Sequence, residues 1–199
     1  MIRHIYTAKF KPGVTSAQVD EWWTALQRLS IPGMRNFVGG PDLRLRDGNA
    51  DFALTADFDK IEDWRRYDED EEHNRIRREL AAPITESGDR VQFEVPEQSQ
   101  PSPIRNVALF WRKPGVTDAQ LEEICDALNV MRIQGMHAFH SSRDLGLKGG
   151  NADVGVFADL HDAEAYRSYD ADEEHNRIRR EMVGPAVDRV TRVQFGVSA

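Results

Sequence analysis

The chain has 199 residues, 40% hydrophobic and 30% charged, with a net charge of −8, the profile of a soluble globular protein built as one ordinary domain or two small ones. Its acidity disfavours nucleic acid, whose phosphates need a basic face, and equally an anionic membrane surface. No apolar run approaches the roughly 20 residues that span a bilayer, and one cysteine, Cys125, leaves no internal disulfide and fits a reducing cytoplasm.

Residues Ile2 to Phe10 alternate two faces, Ile2, His4, Tyr6, Ala8, Phe10 against Arg3, Ile5, Thr7, Lys9, which predicts a strand. Pro12-Gly13 turns the chain, and Thr15 or Ser16 caps a helix with Val19, Trp22, Trp23 and Leu26 on one stripe. Ile31-Pro32-Gly33 ends it. A short strand from Met34 to Val38 leads through a polar loop to Gly48-Asn49, and a further strand runs from Asp51 to Phe58. A second helix starts near Lys60 and carries Trp64 and YDEDEEHNRIRREL, residues 67–80, before a last strand with Val91, Phe93 and Val95.

The whole order then recurs. KPGVTSAQVDE at 11–21 answers KPGVTDAQLEE at 113–123, GNAD at 48–51 answers 150–153, and YDADEEHNRIRREM at 169–182 answers the segment at 67–80. Every match lies 102 residues on, as Lys11 to Lys113 and Gly48 to Gly150 show, without insertion or deletion. A period this long is a duplicated domain rather than a solenoid. Domains at 1–95 and 104–199 are expected, joined by a proline-stiffened linker, PEQSQPSP, at 96–103.

The order β-α-β-β-α-β in each half is the split βαβ of a ferredoxin-like α+β fold. Helices on one face of a four-stranded sheet leave the other bare, and an apolar face seeks a partner. The two sheets are therefore expected to pack face to face as an intrachain pseudo-dimer with a barrel-like interior, and a further homodimer is open to it.

RHIYTAKFK followed by a helix, Gly-rich turns, and Tyr67 six residues before His73 resembles the stress-responsive dimeric A/B barrel family. The pattern is most similar to its polyketide cyclases of the olivetolic acid cyclase type. The resemblance covers both halves. It implies a catalytic tyrosine–histidine pair at Tyr67 and His73 and again at Tyr169 and His175, with the strand-one position lining the cavity, His4 in one half and Asn106 in the other. Trp64 and its counterpart Tyr166 are core candidates that also shape the pocket.

Residues six apart on one continuous helix are separated by about 240°, so a shared site requires a break. Asp68 with Glu71 three residues on is the acidic counterpart of a capping box and predicts that break, repeated at Asp170 and Glu173. Glu71–Arg75 and Arg75–Glu79 are expected ion pairs. A histidine with a pKa near neutrality can then take a proton from between two carbonyls while the tyrosine hydroxyl donates to the developing enolate, and no metal or organic cofactor is required. The implied partner is a small enolisable molecule, and the activity an aldol-type cyclisation. Two alternatives stay open: a non-catalytic stress-responsive ligand binder, and a haem-binding monooxygenase on the same barrel.

Other constellations point elsewhere. His137 and His140 are metal-like in type, but three-residue spacing on a strand turns them to opposite faces, so no metal is expected. RIRRE reads as the solvated end of a helix, Asp51 and Asp153 as turn-fixing residues, and Cys125, opposite Trp23 in the repeat, as a core filler.

Overall fold

The computed structural model describes residues 1–97 and 102–197, so the middle of the expected linker lies outside the described residues. The first half runs β1 (Ile2–Phe10), α1 (Ser16–Gln27), β2 (Met34–Pro41), β3 (Phe52–Phe58), α2 (Ile61–Glu69), α3 (Glu71–Ile76), a π-helical turn at Arg77–Ala81, α4 (Ala82–Ile84) and β4 (Thr85–Glu94). The second repeats it as β5 (Ile104–Arg112), α5 (Asp118–Asn129), β6 (Met136–Arg143), β7 (Val154–Leu160), α6 (Ala163–Ala171), α7 (Glu173–Ile178), a π turn at Arg179–Val183, α8 (Gly184–Ala186) and β8 (Val187–Gly196). Each half is an antiparallel sheet, in the orders β2-β3-β1-β4 and β6-β7-β5-β8.

Local chemistry explains the element ends. Thr15 caps α1, its hydroxyl accepting from the Gln18 amide while the Gln18 side chain accepts from the Thr15 amide, and Thr117 with Gln120 does the same for α5. Such a cap contributes about 1 kcal/mol. Asp51 and Asp153 do more than shape turns: each accepts from the backbone N–H of the last residues of strand one, Phe10 and Arg112, both at 2.9 Å.

The sheets pack face to face as expected. Ile5, Val91 and Phe93 of one half meet Val107, Leu109, Phe157, Val193 and Phe195 of the other in one buried cluster. This interior is well packed, and the two cavities that hold the tyrosine–histidine pairs lie on the opposite face of each sheet, against its own helices. Two ion pairs sit within the filled interior. Arg3 binds Asp57 through two bonds of 2.7 Å, and Arg105 binds Asp159 at 2.7 and 2.8 Å. The Arg3 guanidinium lies 3.9 Å from the Phe157 ring, whereas Arg105 donates to the Thr55 hydroxyl at 2.7 Å. Thr55 and Phe157 are equivalent positions of the repeat.

The loops after β2 and β6 close the structure by crossing into the other half. Leu43 and Ala50 donate backbone N–H to the carbonyls of Gln194 and Arg192 on β8; Leu145 and Ala152 do the same to Gln92 and Arg90 on β4. The β4 and β8 edges are thereby paired by the other half's loop, which blunts them against aggregation and carries second-half residues to the first-half cavity. No helix among the described residues is long and apolar enough to cross a membrane.

Candidate functional site

The chain breaks between Tyr67 and His73, but not at the expected residue. The cap is Asp70, with extended ψ of 130°, whose carboxylate accepts from the His73 amide at 2.8 Å. Asp172 and His175 repeat this. Asp68 is left free of capping and instead takes Lys148 of the second half on both its oxygens, at 2.6 and 2.7 Å. The expected Glu71–Arg75 pair is likewise replaced, because the next residue, Glu72, meets Arg75 at 2.7 Å as an i,i+3 pair, with Glu79 completing the row at 2.8 Å. These exposed pairs contribute little stability.

The break lets the two rings meet. Tyr67 and His73 stack with centroids 4.0 Å apart, and His4 approaches Tyr67 from β1 at 5.8 Å. All three are buried and line a cavity of about 380 Å³ together with Tyr6, Trp64 and Lys148. In the second half Tyr169 and His175 lie 4.2 Å apart in a cavity of about 190 Å³, lined also by Asn106 and Tyr166.

Hydrogen bonding fixes the proton on each histidine. His73 Nδ1 lies 2.8 Å from the Tyr67 carbonyl oxygen, which can only accept, so Nδ1 carries the hydrogen and Nε2 keeps its lone pair. His4 is the reverse. Arg90 Nε donates to Asn151 Oδ1 at 2.9 Å, Asn151 Nδ2 donates to Gln92 Oε1 at 2.7 Å, and Gln92 Nε2 faces His4 Nδ1 at 2.8 Å. An arginine cannot accept, so the polarity of the chain is set from its far end. His4 Nδ1 must accept, and the proton sits on Nε2. Asp144 holds Asn151 from behind at 2.9 Å.

Both rings are neutral. Burial drives the His4 pKa down to about 3, helped by the nearby His73, and burial with Arg77 nearby takes His73 down to about 4. Burial pushes the Tyr67 hydroxyl well above its usual range, so it remains a donor. The cavity thus sets one neutral imidazole acceptor against one neutral imidazole donor, with a phenol between them. Trp64 adds a buried indole N–H that has no hydrogen-bond partner among the described residues.

The second half keeps this scheme with one substitution. Asn49 Nδ2 donates to Gln194 Oε1, and Gln194 Nε2 donates to Asn106 Oδ1, both at 2.7 Å. Asn106 therefore accepts where His4 accepts and has an amide N–H to offer where His4 has Nε2–H.

Sequence reasoning missed the relay residues Gln92, Asn151 and Asp144, and the cavity cations Lys148, Arg46, Arg77 and Arg179. The signal was present in the GNAD and RVQF repeats, but their meaning depends on loops crossing between halves. His137 and His140 are not brought together at a site. His140 lies by the Glu94 carbonyl at 3.1 Å, while His137 sits near His161. No group of three or more metal-binding side chains occurs among the described residues. Cys125 is buried, with its thiol pushed up to about 11 by burial.

A family model, the Stress responsive A/B Barrel Domain, matches residues 2–97 and again 104–197. No curated protein matches the chain. Among solved structures, an anthrone oxidase-like protein is 14% identical over the whole of this chain and 91% of its own, with a TM-score of 0.70. A candidate monooxygenase from Fusobacterium nucleatum is 11% identical over 98% of this chain and 91% of its own, at 0.65. A dimeric ferredoxin-like protein of unknown function from Thermobifida fusca is 36% identical over 47% of this chain and 90% of its own, at 0.45.

Proposed function

The chain belongs to the stress-responsive A/B barrel family as a tandem duplicate, and we propose that its first-half cavity performs proton-transfer chemistry on an enolisable small molecule, an aldol-type ring closure of a polyketide-like substrate. The observation that supports this most is the pairing of two neutral histidines with opposite tautomers beside Tyr67.

In this reading His73 Nε2 takes a proton from the carbon between two carbonyls. The Tyr67 hydroxyl and His4 Nε2–H donate to the oxygen that gains charge, a role a neutral donor fills without a competing counter-ion. The enolate carbon attacks a second carbonyl of the same molecule. One C–H bond breaks, one C–C bond forms, and the proton returns from His73 to the new alkoxide, so the closure is an isomerisation. His73 is a weak base in the free protein, but it stays unprotonated across neutral pH, and the enolate formed beside it favours its protonated state. Tyr169 and His175 reproduce the pair, with Asn106 and Tyr166, in a cavity of half the volume. We assign the reaction to the first half.

Short linear β-polyketide thioesters, followed by the absorbance of the ring-closed product under air and under nitrogen, test the assignment. We expect oxygen-independent turnover, a loss of about 100-fold or more in His73→Ala and in Tyr67→Phe, and a much smaller loss in His175→Ala. Substrate binding without turnover would mark a ligand-binding protein, and oxygen-dependent turnover, or an intense visible band on adding haem, would mark an oxygenase; either result overturns the proposal.

A further inference from the structure

The two halves use one equivalent arginine in different ways. Arg90 is spent on its neighbours, with Nε on Asn151 and Nη2 on the Gly149 carbonyl, each at 2.9 Å. Its counterpart Arg192 lines the second cavity. The Arg192 Nε is buried with no hydrogen-bond partner among the described residues, and Asn49 Oδ1, the acceptor equivalent to the one Arg90 uses, is buried and unpartnered as well. An orphaned guanidinium N–H is costly, and the bond that would relieve it is formed in the other half.

The surroundings are cationic. Arg46, Arg179 and Arg192 line the cavity against one carboxylate, Asp170, to which both Arg46 and Arg179 are bonded. Burial, with Arg46 nearby, draws the Arg192 pKa down. The sheet beside Arg192 is apolar: Ala108 is its cross-strand partner and Val156 is that of Ala108, with Phe110 and Leu128 lining the same cavity. A ligand that suits this lining carries one compact negative charge on an apolar body.

We propose that the second-half cavity is a binding site for a small monocarboxylate with an aromatic or short aliphatic body. The carboxylate sits on the Nη1–Nη2 edge of Arg192, since its Nε is closed off from the cavity, a planar fork matched to two oxygens, and Arg46 and Arg179 supply the surrounding positive field. A phosphate fits less well, because the apolar wall offers nothing to its remaining oxygens. The site goes beyond the first-cavity reaction and does not depend on it.

Fluorine NMR of the whole chain titrated with 4-fluorobenzoate tests this, with 4-fluorobenzamide as the neutral isostere and inorganic phosphate as competitor. We expect saturable benzoate binding, benzamide weaker by about tenfold or more, and no displacement by phosphate at equal concentration. Arg192→Gln should weaken benzoate about tenfold and erase the preference over the amide. Ala108→Phe, which keeps every charge and fills the apolar wall, should block binding, so the proposal stays testable if the arginine variant does not fold. Absent binding, equal affinity for acid and amide, displacement by phosphate, or binding that survives both substitutions overturns it. Polyketide turnover assayed on the same samples separates this result from the first-cavity reading, since either can fail alone.

Discussion

The first and second halves share an element order, a helix break and a tyrosine–histidine stack, yet their cavities differ twofold in volume. Their walls also differ residue by residue. Tyr6 faces Gly88 in the first half, where a Cβ on the glycine would stand 2.3 Å from the tyrosine hydroxyl; the second half has Ala108 and Val190 instead. Trp22 and Trp64 become Ile124 and Tyr166, and Thr85 and Ser87 become Val187 and Arg189. The first cavity is roomier and more polar, the second smaller and more apolar apart from its arginines. Substitutions at the wall changed together while the frame beneath them stayed fixed, so the two cavities can serve different ligands on one scaffold.

Four measurements break or sharpen this comparison. The largest effect is expected in the filled interior. Asp57→Ala leaves Arg3 buried without its carboxylate, and such a loss costs about 3–5 kcal/mol in urea unfolding at neutral pH. In the other half, Asp159→Ala still leaves Arg105 its bond to Thr55, so adding Thr55→Val to Asp159→Ala should cost about 1 kcal/mol more; no added loss would show that the Thr55 bond contributes nothing.

Next comes acid sensitivity. His4 and His73 have folded pKa values of about 3 and about 4, below the 6.5 of an unperturbed histidine. Between those values the unfolded chain binds protons that the folded chain refuses, so stability rises with pH through this window and is lost as pH falls. At roughly 1.4 kcal/mol per pH unit for each group, the chain should lose roughly 3 kcal/mol between pH 6.5 and pH 5. His4→Asn, which gives the first half the residue of the second, should make that slope clearly shallower. An unchanged slope would mean that His4 is not the neutral buried group described.

A smaller effect is expected at the wall. Gly88→Val should destabilise by about 2 kcal/mol through overpacking against Tyr6, and adding Tyr6→Ala, the second half's solution, should recover most of it. A strictly additive double mutant would show that the two positions are not coupled. Smallest is the relay. Asn151→Ala releases the Gln92 side chain from the second half, so His4 can change tautomer; turnover in the first cavity should drop about tenfold with KM little altered, and the acid limb of its pH profile, set by His73, should stay near pH 4. A fall in KM alone, or none in turnover, would leave the relay a structural contact.

Much of the fold was legible in the chain. Strand alternation, the Thr15 cap, the duplication and the bare sheet face led to two ferredoxin-like halves packed sheet to sheet. The need for a break between Tyr67 and His73 followed from helix geometry alone. The cap was misplaced by two residues because Asp68 and Asp70 are equally good caps in sequence; only the pull of Lys148 from the other half on Asp68 distinguishes them. The site's electrostatics were illegible for the same reason. RIRRE looked like a solvated helix end, but Arg77 and Arg179 lie against cavities that form only once the other half's loop has crossed over. The expected barrel-like interior is there, and the Arg3 and Arg105 pairs and aromatic side chains pack it.

Thr55 and Phe157 carry a consequence for how the two cavities came to differ. In a two-fold symmetric dimer of identical chains, a residue and its mate across the interface are encoded once, so a threonine on one side forces a threonine on the other. Here one guanidinium rests on a ring and the other binds a hydroxyl, a mixed arrangement that identical subunits cannot adopt. Fusing the copies turned one genetic position into two. Each half then became free to accumulate changes that would have been harmful if imposed on both cavities at once.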